Sequence, residues 1–237
     1  MDFPLSDWDT KRKESEMAQT IVITGANRGI GLALAKHWKA RGDRVLAVCR
    51  QPSAALVDSG VEIIDGVDVS TADGVSNLSS GLGDTSVDIL YNNAGVMLSE
   101  TVDEMDFGQI LHQFEVNTLG PLRVTMALLN NLHPGSKVGL MTSRMGSIAD
   151  NTSGKKYGYR ISKAGLNAAG KSLALDLHDR GIAVAILHPG WVQTDMTGHS
   201  GNLTVDEAAA NLIARMDDLN LENSGTFWHS DGSVLPW

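Results

Sequence analysis

The chain has 237 residues, 42% of them hydrophobic, and a formal net charge of −9. That length carries a substantial core within one α/β domain, and the acidic balance excludes a general affinity for nucleic acid or for an anionic membrane, since either would repel it. One cysteine, Cys49, rules out an internal disulfide, and no Cys and His spacing suits a metal ion, so a reducing, cytoplasmic setting without metal is expected.

The opening residues, MDFPLSDWDTKRKESEMAQ, lack the continuous apolar run of a secretory signal, and no later run reaches transmembrane length. Residues 1–17 read as a flexible N-terminal extension and 18–237 as a single domain. From Thr20 the strand candidates are TIVIT, RVLAVC, VEIIDGVD, SVDILYN, KVGLMTS, IAVAILHP and GTFWHSDG. Several are continuously apolar, as strands covered on both faces must be. Helical patterns fall between them, including GLALAKHWKAR, GPLRVTMALLNNL, YRISKAGLNAAGKSLALDLHD and TVDEAAANLIARMDDL. This alternation predicts a doubly wound, seven-stranded, mostly parallel sheet with helices on both faces. Ligands of such a sheet bind beyond the carboxyl ends of its strands.

After the first strand comes TGANRGIG, running directly into a helix. Gly25 permits a tight turn, Gly29 lets backbone approach a phosphate, and Gly31 lets the helix pack against the strand, with Asn27, Arg28 and Ile30 completing the turn. The helix start then offers unpaired N–H groups to a pyrophosphate. The second strand ends in CRQ, where a dinucleotide fold selective for NAD places an acid for the ribose 2′-hydroxyl. Cys49 and Arg50 stand there, and Arg28 lies in the first turn. Two guanidinium groups and no acid favour a 2′-phosphate, hence NADP(H) over NAD(H).

DVS after the third strand and NNAG after the fourth also fall at ligand-side strand ends. Asp68 is placed to accept from an adenine amino group, Val69 to meet the ring, and Asn93, Ala94 and Gly95 to line the adenosine side. Taken alone, Asp68 reads first as an ordinary helix cap and NNAG as an ordinary turn; their shared location is what raises both. The fifth strand ends in LMTSRMGS, which puts Ser143 at its end, and the later helix brings Tyr159 and Lys163 onto one face by their four-residue spacing. Tyr157 faces elsewhere, with Ile161 four residues on.

The ordered set TGANRGIG, NNAG, EVNTLG, Ser143, YRISK and HPGWVQT closely resembles the short-chain dehydrogenase/reductase family, from about Thr20 to the C-terminus. Within it, TGANRGIG, YRISKAGLN and the ending DGSVLPW are most similar to small carbonyl reductases of the sniffer type and to C-factor-like proteins. The resemblance implies a Rossmann-type fold and an NADPH-dependent reductase of aldehydes or ketones. Tyr159 would be the general acid/base, its pKa lowered by Lys163, which also holds the nicotinamide ribose. Ser143 would hydrogen-bond the carbonyl oxygen. Asn117, at an irregularity in a helix starting near Thr118, would hold a water in the proton relay. Pro189 and Gly190 would shape a turn, while Val192 and Thr194 hold the carboxamide.

The resemblance also implies a homodimer or homotetramer built through the helices of residues 117–132 and 159–179. The short segment after Thr194 predicts a small lid over an open pocket, with Met97, Met145, Trp191 and Met196 as lining candidates. Two other readings are an NADP-binding signalling protein in which turnover is not essential and a sugar-nucleotide epimerase, the latter disfavoured by how little chain follows Thr194.

Overall fold

The computed structural model describes residues 18–237; the expected flexible extension, residues 1–17, lies outside them. Seven strands form one sheet in the order β3-β2-β1-β4-β5-β6-β7, and every strand pair is parallel. They are β1 (Thr20–Thr24), β2 (Arg44–Val48), β3 (Glu62–Ile64), β4 (Val87–Asn92), β5 (Leu132–Met141), β6 (Ala183–His188) and β7 (Phe227–His229). Between them run helices α1 (Gly29–Arg41), α2 (Ala54–Val57), α3 (Ala72–Leu82), α4 (Phe107–Phe114), α5 (Gly120–Ala127), α6 (Tyr157–Asp176) and α7 (Val205–Asp218).

The apolar runs are continuous because both sheet faces are covered. Val22, Leu46, Leu90 and Ile186 point into one core with Leu78, Val124, Leu166 and Leu173 from α3, α5 and α6. Their strand neighbours Ile21, Ile23, Ala47 and Leu187 point into the other, against Leu34 and Trp38 of α1 and Leu212 and Met216 of α7. Burying each such aliphatic side chain is worth about 1.5–3 kcal/mol. The winding reverses between β1 and β4, and the resulting crevice at their carboxyl ends is where this architecture seats a ligand.

Two segments differ from their predicted extents. The helix expected to run to residue 132 ends at Ala127, and β5 begins at Leu132 instead of Lys137. Leu132 pairs with Val87, but Lys137 already pairs with Ile89, so HPGS is accommodated as an irregularity. Pro134 lacks an N–H for the ladder and Gly135 takes φ +98°, which suits a bulge.

Candidate active site

Thr24 ends β1 and organises the turn that follows. Its hydroxyl accepts from the backbone N–H groups of Asn93 and Ala94, each at 3.1 Å, tying the end of β1 to the loop after β4. The Asn93 amide returns two bonds of 3.0 Å to the carbonyls of Thr24 and Gly25. Gly25 adopts φ +65°, and a Cβ on it would stand 2.7 Å from the Ala94 Cα. A Cβ on Gly31 would stand 2.4 Å from the Gly25 carbonyl oxygen, so this glycine is what lets α1 lie against the turn.

Gly29 is different: φ is +54° and an added Cβ meets only the Thr194 side chain, at 3.6 Å or more. Arg28, the N-cap of α1, is extended and supplies no side-chain cap, so the first-turn amides remain available to an external acceptor. An open space over an uncapped helix start suits a phosphate-bearing ligand.

The predicted cofactor residues divide into two kinds. Asn27 and Asn93 spend their side chains within the protein, Asn27 by accepting from the Ser53 N–H, so they shape the turn. Arg28 is exposed and pairs with Asp195 at 3.2 Å. Arg50 is also exposed and makes no salt bridge with the described residues. Asp68 receives the Ser70 N–H and hydroxyl at 2.9 and 2.6 Å; these bonds hold its carboxyl below the usual range, beside the buried Val69. Gly95 leaves room for the buried polar groups nearby, since a Cβ there would lie 3.2 Å from Asn117 Oδ1 and 3.6 Å from Lys163 Nζ.

Ser143, Tyr159 and Lys163 are brought together as expected, and all three are buried. Ser143 caps a single 3-10 turn, Arg144–Gly146, its hydroxyl accepting from the Met145 N–H at 3.1 Å. That turn lies directly on α6: a Cβ on Gly146 would be 2.7 Å from the Lys163 carbonyl carbon. Thr142 locks the same contact through its hydroxyl, which donates 2.6 Å to Asn167. Ser143 and Tyr159 consequently line the same cavity. The helix begins at Tyr157, two residues before the expected Tyr159.

The pKa of the tyrosine departs from expectation. Burial pushes the phenol up to about 12, opposed only by the Ser143 hydrogen bond. Burial also brings Lys163 down to about 7. Its ammonium donates 2.7 Å to the Met141 carbonyl and lies 5.8 Å from the Tyr159 ring centroid. Desolvation works against the charged form of each.

Asn117 sits in a π-helical turn, Glu115–Leu119, between α4 and α5. The irregularity is where it was expected, but the helical run starts at Phe107, not near Thr118. The Asn117 side chain is fully buried; it donates to the Val96 carbonyl at 2.8 Å and the Ser162 hydroxyl at 3.0 Å and accepts from the Val96 N–H. It clamps the loop after β4 to α6. Any water would meet its remaining lone pair or its main chain.

A cavity of about 610 Å³ opens over Ser143 and Tyr159 and is lined by Met97, Met145, Trp191 and Met196, as anticipated. Pro189, Gly190, Val192 and Thr194 form its wall after β6. After Thr194 the chain makes only the short turn Asp195–Thr197 before Val192 bridges to Leu203, which leaves a minimal lid. Sequence reasoning did not single out His188 and His229, whose rings stack edge-on at 5.0 Å in the cavity wall. Burial lowers the pKa of His188 to about 3, and its Nδ1 has no partner. Its place at the end of β6, in HPGW, was the available signal.

A short chain dehydrogenase family model matches residues 19–203. The 1-hydroxy-2-glutathionyl-2-methyl-3-butene dehydrogenase of Rhodococcus sp. (strain AD45) is 42% identical over 92% of this chain and 99% of its own length. C-signal of Myxococcus xanthus is 45% identical over 64% of this chain and 93% of its own. Among solved structures, the carbonyl reductase Sniffer of D. melanogaster is 31% identical with a TM-score of 0.83, covering 93% of this chain and 100% of its own. A carbonyl reductase from Pseudomonas aeruginosa PAO1 in complex with NADP is 33% identical over the same shares, also with a TM-score of 0.83.

Proposed function

The chain belongs to the short-chain dehydrogenase family of oxidoreductases, and from that premise we propose that it reduces an aldehyde or ketone to an alcohol with NADPH, or runs the reverse oxidation. The observation that carries the reading is the burial of Ser143, Tyr159 and Lys163, the last two one helical turn apart, with Ser143 and Tyr159 lining one open cavity. NADPH, when bound, supplies the hydride. The first turn of α1, with Arg28 and Arg50, would hold its phosphates, and Lys163 would hold the ribose. The resemblance to a carbonyl reductase in complex with NADP supports the same cofactor.

Tyr159 keeps its proton through neutral pH, as an acid that protonates a carbonyl oxygen must. Ser143 donates a hydrogen bond to that oxygen and stabilises the charge that develops on it. The methionines and Trp191 provide an adaptable apolar wall, which supports broad acceptance of small carbonyl compounds. The lone buried cysteine supports a cytoplasmic setting. Exposed Phe107 and Leu111 on α4 and Ile161 on the adjoining α6 support a homo-oligomer joined through these helices.

The test is to titrate the protein with NADPH and separately with NADH, following tryptophan fluorescence, and to assay a carbonyl panel by absorbance loss. Tighter binding of NADPH is expected, with turnover that falls about 10²–10⁴-fold in Tyr159→Phe while NADPH binding persists. Preference for NADH would remove the assigned role of Arg28 and Arg50. The similarity to C-signal supports a second reading, a regulatory NADP-binding protein; binding without turnover on any carbonyl would favour it.

A further inference from the structure

The catalytic helix lacks a cap of its own. Lys156, the N-cap residue of α6, makes no side-chain cap bond, and the helix has no acid in its first turn. The approach is strained as well, because Lys155 and Lys156 both take positive φ, +55° and +53°, without being glycine. A residue 58 positions before Gly158 supplies the missing acceptors. Glu100, fully buried in the loop after β4, accepts the Lys156 N–H on its main-chain carbonyl at 2.9 Å and the Gly158 N–H on Oε2 at 3.1 Å. Its Oε1 accepts from the Gln113 side-chain amide of α4 at 2.5 Å, and the Gln113 side-chain oxygen, Oε1, accepts the Leu98 N–H at 2.8 Å.

We propose that Glu100 is a positioning residue for Tyr159, fixing the first turn of α6 so that the tyrosine is held in the cavity that Ser143 also lines. The proposal rests on Tyr159 being the acid/base. Gly158 explains why the contact is close: a Cβ on it would stand 2.4 Å from Gln113 Nε2 and 3.1 Å from Glu100 Oε1. The glycine between the two tyrosines of YGYR is therefore the seat of the Glu100–Gln113 pair. The chain of bonds also joins the loop that carries Met97 in the cavity wall to the turn that carries Tyr159.

Both Glu100 oxygens act as acceptors, so Glu100→Gln turns one into a donor facing another donor, Gly158 N–H or the Gln113 amide. The double exchange Glu100→Gln with Gln113→Glu restores acceptors for Leu98, Gly158 and the residue-100 amide. The experiment compares these variants, Gly158→Ala and Tyr159→Phe for kcat, KM for NADPH and hydrogen exchange at the Gly158 amide. In Glu100→Gln, kcat is expected to fall roughly 10- to 100-fold with KM for NADPH nearly unchanged, and Gly158 exchange to quicken about tenfold. The double exchange should recover both.

Gly158→Ala, which displaces the pair from the other side, should lower kcat in the same way and gives an independent reading if Glu100→Gln does not fold. An unaltered kcat in the single variants would overturn the proposal, as would a double exchange that recovers amide protection without recovering turnover. If Tyr159→Phe turns over like the parent, the acid assignment itself fails and takes the proposal with it. An inactive Tyr159→Phe beside an unaffected Glu100→Gln refutes the positioning role alone.

Discussion

Lys163 is 3% exposed, and its pKa of about 7 means that folding costs it much of its affinity for a proton. Below about pH 7 the amine is protonated in the folded and unfolded chain alike, so the full penalty of burying the charge is present. Between 7 and the ordinary 10.5, the folded protein has already released the proton while the unfolded chain retains it. The unfolded state then binds more protons, and the contribution of Lys163 to stability becomes less unfavourable as pH rises. Lys163→Met should therefore raise Tm by roughly 4 °C or more at pH 6, with the gain shrinking towards pH 10. A gain independent of pH in thermal melts would show that the ammonium is not desolvated. The same variant should lose turnover, so the residue trades stability for function.

At the scale of elements, the glycine turn shows how a ligand-binding loop is built from internal contacts. Gly31→Ala drives a Cβ into the Gly25 carbonyl and the Asn93 amide, at 2.4 and 2.5 Å. It should destabilise the fold by about 1–3 kcal/mol in urea denaturation and weaken NADPH binding at the same time. Much of this region was readable in the sequence. Thr20–Thr24 forms the strand expected of TIVIT, and the turn and helix follow without interruption. The periodicity of α6 placed Tyr159 and Lys163 together, and the short segment after Thr194 foretold the small lid.

Less legible were α3, whose ADGVSNLSSGL is poor in strong helix formers, and α4, whose Phe107 and Leu111 are exposed. The links from Asn117 to Val96 and from Glu100 to Gly158 span loops distant in sequence, and no local pattern announces them. Nor could spacing reveal how strongly Tyr159 and Lys163 are desolvated, because that depends on packing from several elements at once.

Across the whole molecule, the exposed apolar side chains of α4 and α6 are the surface on which the proposed oligomer would form. Phe107 and Leu111 are 73% and 65% exposed, and Ile161 is 50% exposed on the neighbouring helix. Replacing Phe107 and Leu111 together with Asp should shift the sedimentation coefficient to that of a monomer; an unshifted oligomer would place the contact elsewhere. The sheet topology has a separate bearing on how the chain acquires its shape. Ile21 at the centre of the sheet pairs with Ile89, and every other strand pair is likewise bridged by a crossover. Contacts so remote in sequence make for slow folding. While the chain is being synthesised, β1, β2 and β3 must wait for β4 with one flank of the sheet unsatisfied. That interval, several seconds at about 5–20 residues per second, is when the nascent protein is most exposed to misassociation.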